Sequence, residues 1–266
     1  MTFTDAHSPS AVCSPTRYGL VTGRYAWRSK LKSGVLGGLS PRLIEPGRLT
    51  AAQLLKDNGY HTACVGKWHL GMDWELKPNK KVSELNIEPR EQVFNVEYDK
   101  PIKNGPNAVG FDYYFGIPIV NSHPPFVFVE NHHVVGLDPA DPFVFGPAAK
   151  GKIYTQDFPE KKNIEAVGGA RRAHELYRDE QVGTTLTEKA VAWLKRKRDK
   201  PFFLYFVVPE KLPTSSRHGP HRRENACSGM LFGWRQLVPG AALSRRGFRT
   251  TQRDRQYRPG CPQWQR

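Results

Sequence analysis

The chain has 266 residues, of which 38% are hydrophobic and 24% are charged, and its formal net charge is +15. This length allows one large domain or two small ones, and the composition is typical of a globular protein. No apolar run approaches the roughly 20 residues that cross a bilayer, and residues 1–8 (MTFTDAHS) lack the regions of a signal peptide. We therefore expect no membrane partner, and the compartment stays unassigned.

The cysteines and the basic residues further restrict the class of protein to which the chain can belong. Four scattered cysteines exclude a disulfide framework and a CxxC zinc site: Cys13, Cys64, Cys227 and Cys261. Residues 1–211 hold 29 Lys and Arg against 23 Asp and Glu, whereas residues 212–266 hold 11 Arg, no Lys and 2 acids. The sequence thus predicts a globular body over 1–211 and an atypical Arg-rich segment over 212–266.

The first element of the body is a helix that begins near Cys13 in SAVCSPTRYGLVTG (10–23). Pro15 suits a first helical turn, and Arg17 lies one turn after Cys13 on the same face. From this stretch alone, Cys13 is a buried small side chain or a thiolate nucleophile at a helix N-terminus.

The remaining elements alternate between helix and strand. The capping box TAAQ (50–53) predicts a helix over about 50–58, and HTACVG (61–66) predicts a short buried strand. A second capping box, TLTE (185–188), predicts the start of another helix, and FFLYFVV (202–208) predicts a strand buried on both faces of a parallel sheet. These patterns indicate an α/β fold.

Segment 212–266 differs from the body in composition and pattern, because it has no isoleucine and no sustained helical or strand period. Three interpretations stay open: a gene read out of frame, a basic disordered tail, or a folded segment. A basic tail attracts polyanions without a specific site, so no specific nucleic-acid partner is predicted. We expect no element from this segment to flank the strand at 202–208.

Two stretches resemble, in order, the signatures of the type I sulfatases: SAVCSPTRYGLVTGRY (10–25) and GYHTACVGKWHLG (59–71). GFDYYFGIP (110–118) and PPFVFVENHHVVG (124–136) are similar to bacterial arylsulfatases as well. The resemblance covers about residues 3–209. It implies an incomplete alkaline-phosphatase-like domain with a mainly parallel sheet flanked by helices, truncated at both ends.

The resemblance also implies roles for four residues. A separate formylglycine-generating enzyme would oxidise Cys13 to Cα-formylglycine, whose hydrate attacks sulfur while bound to Ca²⁺, so Cys13 is also the expected metal ligand. Arg17 would fix the hydrate and its charge. Lys67 and His69 would bind sulfate and support protonation of the leaving group. Because these two alternate along an extended GKWHLG, they are expected on one face, with Trp68 in the core.

Other family ligands have no counterpart here. The resemblance implies that two adjacent aspartates and a later Asp-Asn pair also hold the Ca²⁺, but the chain contains no Asp-Asp. Asp57-Asn58 is interpreted as a helix end and not as that pair. The family's sulfate-contacting serine falls near Val120, with Ser122 as a neighbour. Three histidines stay unassigned: His123, His132 and His133.

The predicted function is hydrolysis of a sulfate ester, in a small molecule or a polysaccharide, to an alcohol or phenol plus sulfate. With these Ca²⁺ ligands lacking, negligible turnover is expected of the 266-residue chain. Two alternatives remain: a formylglycine-dependent phosphonate or phosphodiester hydrolase, and a non-catalytic basic protein that binds polyanions.

Overall fold

The computed structural model describes residues 7–87, 90–120, 123–137, 177, 181–196, 199–207 and 230–235. All of these belong to one compact unit, Met1–Gln236. The second unit, Leu237–Arg266, and the predicted boundary after residue 211 lie outside the described residues. Within the described ranges, no helix is long and apolar enough to cross a membrane.

Three helices and six strands form the described fold. The helices are α1 (Cys13–Thr22), α2 (Ala51–Asp57) and α3 (Val182–Lys195), and the strands are β1 (His61–Lys67), β2 (Tyr113–Ile117), β3 (Val129–Glu130), β4 (His133–Val134), β5 (Phe202–Val207) and β6 (Met230–Arg235). One sheet has the order β4-β3-β2-β1-β5-β6. β1 is parallel to both β2 and β5, whereas the outer pairs are antiparallel. The predicted α/β class is confirmed, with a mixed sheet whose centre is parallel.

The strand β6 was not expected from the sequence. Its backbone pairs antiparallel with β5, with Arg235 opposite Phe202 and Met230 opposite Val207. The expectation that the segment after residue 211 supplies no neighbour for β5 is therefore wrong. Ladder hydrogen bonds join backbone groups, so a strand can pair without the hydrophobic period that reveals strands in a sequence.

Helices cover both faces of the sheet. On one face, Phe111 stacks on Phe203 and Tyr205 of β5 at centroid distances of 6.2 and 6.1 Å, and α1 and α2 pack beside these rings. On the other face, Trp193 of α3 meets Phe202 edge to face at 5.7 Å. Because neighbouring residues of β5 point to opposite faces, one apolar strand serves both helix layers.

The two predicted helix starts have different outcomes. The Thr50 hydroxyl accepts a hydrogen bond from the Gln53 N–H at 3.0 Å, so the predicted cap of α2 is confirmed. α3 begins at Val182 instead of at the TLTE box. There, the Thr187 hydroxyl donates to the Gly183 carbonyl at 2.8 Å, inside the helix. Burial of the apolar Val182 extends the packed face by one turn beyond the box.

Gly66, the residue before the last one of β1, could not be replaced by another residue type without strain. Gly66 has a φ of +122°, and a Cβ there would overlap the Val207 carbonyl oxygen of β5. Gly116 faces it from β2, where a Cβ would overlap the Gly66 carbonyl oxygen. The three central strands thus approach closely here, and the positive φ breaks the regular alternation of side chains just before Lys67.

Asp112 joins α2 to the start of β1. Its Oδ1 lies 2.8 Å from the Lys56 Nζ, and its Oδ2 accepts from the Thr62 N–H at 2.9 Å and the Thr62 hydroxyl at 3.1 Å. Partial burial raises the pKa of Asp112, but the hydrogen bonds from Lys56 and Thr62 outweigh burial and hold that pKa below its ordinary value. The folded chain therefore favours the charged carboxylate.

We expect Asp112→Asn to lower the free energy of unfolding near pH 7 by about 1 kcal/mol, a modest loss because water screens this part-exposed ion pair. The pKa of Asp112 is depressed in the fold, so its contribution is present above the ordinary Asp pKa of about 3.9 and is lost as the pH falls through the folded pKa. Urea unfolding near pH 7 and near pH 3 measures the free energy of unfolding of wild type and variant at each pH. The difference from wild type should narrow in acid.

The matched control is Asp99→Asn, the same chemical change at a carboxylate that is 62% exposed. It should leave the free energy of unfolding unchanged at either pH. A difference for Asp112→Asn that stays constant on acidification would contradict this account.

Candidate active site

The site begins at the N-terminus of α1. Cys13 is the first residue of this helix and is partly exposed, as a free thiol. The preceding residue, Val12, has an extended backbone and no side chain that could cap the helix. The helix end therefore presents its partial positive charge at Cys13, which favours negative charge on an atom there.

Arg17 lies one turn further along α1 and is only 1% exposed. Its Nη1 donates a 2.7 Å hydrogen bond to the Lys67 carbonyl at the end of β1. Its Nε has no hydrogen-bond partner among the described residues. Burial of a guanidinium is costly unless its donors are satisfied, and besides the Lys67 carbonyl this one interacts with Tyr205, where it acts against the burial that raises the phenol pKa.

Lys67 brings an ammonium group to the same place. It is 1% exposed, and it lies near enough to Cys13 for that side chain to influence its pKa. Burial and the nearby Arg17 charge lower the pKa of Lys67 to about 8, although the contact with Cys13 acts in the opposite direction. The predicted proximity of Cys13, Arg17 and Lys67 is therefore found, across 50 residues of sequence.

The reason given for pairing Lys67 with His69 is wrong, although the two side chains do interact. β1 ends at Lys67, and His69 has a φ of 56°, in the left-handed region. The chain is thus not extended across this segment, and simple alternation does not place the two on one face. Burial first, and then the Lys67 charge, lower the pKa of His69 well below its ordinary value.

A backbone contact fixes the protonation of His69. Its Nε2 lies 2.7 Å from the Leu36 carbonyl oxygen, and a carbonyl can only accept, so Nε2 carries the proton. The ring is neutral near pH 7 because the pKa is depressed. Its Nδ1 is then an unprotonated acceptor, buried and without a partner among the described residues.

The backbone of Leu36 also contacts the helix that carries Cys13. Its N–H donates to the Ser14 hydroxyl at 3.2 Å, and Ser14 is fully buried. One residue, Leu36, thus links α1 to His69 through its N–H and its carbonyl oxygen. The sequence did not reveal Ser14 or Leu36 as site residues, because a serine and a loop leucine carry no pattern that indicates such contacts.

The charge of this cluster is one-sided. Arg17 and Lys67 are both buried, and no Asp or Glu is buried among the described residues. Two buried cations without a carboxylate cost free energy, which an anion bound between them would offset. The cluster is therefore suited to a small oxyanion.

A metal ion fits the described residues less well. Nowhere in the described ranges do three His, Cys, Asp or Glu side chains lie close enough together to hold one. Cys13, the expected Ca²⁺ ligand, instead lies near the Lys67 ammonium. Ca²⁺ takes 6–8 oxygen ligands, so these residues alone do not form a calcium site, and no chemical step is derived through one.

The other sequence candidates have structural roles. Trp68 is buried, and its Nε1 donates to the Gly71 carbonyl at 2.8 Å, so its predicted place in the core is confirmed. Asn58 caps α2 through its side chain, which donates to the Leu54 carbonyl at 2.8 Å, as expected for a helix end. Ser122 lies outside the described residues.

The unassigned histidines divide into two groups. His123 lies near enough to His69 for its charge to contribute to the lowered pKa of that ring, so it borders the site. His132 Nδ1 instead lies 3.2 Å from the Ile102 carbonyl oxygen, and His133 belongs to the edge strand β4.

The sequence of this chain is similar to the sequences of known proteins. Residues 1–226 match the profile of the family described as Sulfatase. The N-acetylgalactosamine-6-O-sulfatase of Bacteroides thetaiotaomicron is 34% identical over 220 residues, which are 76% of this chain and 39% of that protein. Arylsulfatase G of Mus musculus is 33% identical over 125 residues, 46% of this chain and 18% of that protein.

A solved structure agrees with these matches. It comes from a study of the metabolism of multiple glycosaminoglycans by Bacteroides thetaiotaomicron. It superposes on this chain with a TM-score of 0.52, and the two sequences are 31% identical. The superposition covers 75% of this chain and 41% of that one. This chain thus spans less than half the length of each protein named.

The contact between Ser14 and Leu36 yields a test. Ser14→Ala removes the acceptor of the Leu36 N–H, so we expect the Leu36 carbonyl to shift and His69 to lose its single Nε2–H tautomer. Long-range ¹⁵N–¹H NMR spectra, assigned with a His69→Gln variant, report the tautomer directly. Stability should fall by about 1 kcal/mol.

Thr22→Ala is the control, because it also removes a helix hydroxyl, one that donates to the Tyr18 carbonyl at 2.6 Å at the other end of α1. It should leave the His69 tautomer unchanged. An unaltered tautomer in Ser14→Ala would show that this contact does not position the ring.

Proposed function

Because this chain belongs to the sulfatase family, we propose that it carries the nucleophile and the sulfate-binding cations of a sulfuric ester hydrolase. The observation that carries the proposal is the burial of Arg17 and Lys67 near Cys13, with no buried carboxylate among the described residues. A sulfate ester supplies the missing negative charge. The 34% identical relative supports a sulfated carbohydrate as the substrate class.

The nucleophile is proposed to be a modified Cys13. A formylglycine-generating enzyme would oxidise its Cβ to an aldehyde, with O2 as the oxidant and loss of the sulfur as sulfide. A hydroxyl of the hydrated aldehyde then attacks the sulfur of the ester while the S–O bond to the alcohol breaks and the alcohol leaves. The N-terminus of α1 favours negative charge on the attacking oxygen. Arg17 positions the turn through its hydrogen bond to the Lys67 carbonyl.

Lys67 and His69 are proposed to divide the proton transfers. Lys67 has a pKa of about 8, so near neutral pH it holds a proton that it can donate to an oxygen of the sulfate or the leaving group. His69 is neutral and offers the Nδ1 lone pair, so it is suited to accept a proton. This division differs from the initial expectation that both residues support protonation of the leaving group.

Conversion of Cys13 is the first test. When the chain is produced together with a formylglycine-generating enzyme, the tryptic peptide 1–17 should show the mass change expected for replacement of the thiol by an aldehyde. The peptide with Cys64, a buried cysteine outside the motif, should keep its thiol and is an internal control. Unmodified Cys13, with a known sulfatase converted in the same cells, would contradict the proposal.

Anion binding is the second test and does not depend on conversion. In a Cys13→Ala background, Lys67→Met should weaken the binding of phenyl sulfate at least about tenfold, because a buried charge contact is worth several kcal/mol. Lys77→Met, at an exposed lysine, is the control and should bind as the background does. Calorimetry measures the affinities, and thermal unfolding checks that both variants fold. Equal affinity in the two variants would overturn the assignment of the anion site.

A further inference from the structure

Two large aromatic side chains are exposed beyond the C-terminal end of α1. Tyr25 is 54% exposed and Trp27 is 58% exposed. Their rings stack at a centroid distance of 6.0 Å with an interplanar angle of 15°. Exposed large apolar side chains that lie together indicate a binding surface more often than isolated ones do.

Three cations follow directly in the chain. Arg28, Lys30 and Lys32 are exposed, and they alternate with Ser29 and Leu31, which are buried. The Ser29 hydroxyl donates to the Ala26 carbonyl at 2.6 Å and accepts from the Leu31 N–H at 3.1 Å. The buried residues thus anchor the segment and leave the cations toward solvent.

The rings and the cations form one continuous surface. The Arg28 guanidinium lies 5.5 Å from the Trp27 ring centroid, and the Lys32 Nζ donates to the Trp27 carbonyl at 3.1 Å. We call this surface the basic aromatic strip: Tyr25, Trp27, Arg28, Lys30 and Lys32.

No carboxylate in the described part of the chain pairs with the cations of the strip. The sequence has no Asp or Glu between Asp5 and Glu45. Glu45 lies 3.7 Å from Arg24, and no described carboxylate forms an ion pair with the cations of the strip. Its uncompensated charge favours an anionic partner with several charges.

Few residues separate the strip from the candidate active site along the chain. Only the segment from Lys32 to Leu36 separates them, and four residue steps span at most about 14 Å. Leu36 contacts both Ser14 and His69. A partner held at the site and longer than one small group would be able to reach the strip.

We propose that the basic aromatic strip binds a sulfated carbohydrate chain at units beyond the one in the active site. The ring faces suit the apolar C–H faces of sugars, and the cations suit sulfate groups along the chain. This inference rests on the proposed function and extends it from a small sulfate ester to a polymeric substrate.

The test uses the full chain with Cys13→Ala and a size-defined chondroitin 6-sulfate oligosaccharide. Arg28→Gln/Lys30→Gln/Lys32→Gln should weaken binding by about tenfold, the effect of losing roughly 1.4 kcal/mol. The control Lys77→Gln/Lys80→Gln/Lys81→Gln removes the same charge from another exposed segment and should change the affinity by less than about twofold. Equal losses in the two variants would overturn the strip as a defined site.

The rings are tested separately with Tyr25→Ala/Trp27→Ala. This variant should weaken binding of the oligosaccharide and leave binding of polyphosphate, an anion without sugar rings, unchanged. Equal losses for both ligands, or no loss for either, would contradict a carbohydrate partner. Binding needs no conversion of Cys13, so unmodified Cys13 together with a strip that binds would count against the proposed hydrolysis alone.

Discussion

The hydrogen bond from Arg17 to the Lys67 carbonyl is the contact on which the site depends. It is buried, 2.7 Å long and joins residues 50 positions apart. It fixes the first turns of α1 to the end of the central strand β1, and so brings Cys13 near Lys67. A charged donor makes such a bond stronger than a neutral one, and burial excludes the water that would compete for it.

That contact has a cost that helps to explain the chemistry. The Arg17 and Lys67 charges are both withdrawn from water, and the described carboxylates stay on the surface. The Lys67 carbonyl and Tyr205 satisfy only part of the guanidinium, since its Nε has no hydrogen-bond partner among the described residues. Unsatisfied cationic donors make the fold less stable when the site is empty. A bound anion satisfies them, so the same donors that lower the stability of the empty site raise its affinity for an anion.

The helix α1 also connects two surfaces with the same preference for negative charge. Its N-terminus carries Cys13, and the chain after its C-terminus carries the basic aromatic strip before it returns to the site at Leu36. The stretch between Asp5 and Glu45 holds six Lys and Arg and no acid. The basic residues on this short helix and just after it thus lie both in the buried site and on the surface.

The sequence by itself determined the α/β class, the start of α1 at Cys13, the Thr50 cap of α2 and the positions of β1 and β5, and it predicted four site residues that the structure places near one another. Caps and buried strands follow from local hydrogen bonding and apolar runs, which a sequence records. Only the tertiary structure decided the positive φ of Gly66, the left-handed His69 and its tautomer, the role of Ser14, the early start of α3 and the strand β6. Each depends on a neighbour distant in sequence, such as the Leu36 carbonyl or the backbone of Val207, and local patterns do not specify which distant groups will meet.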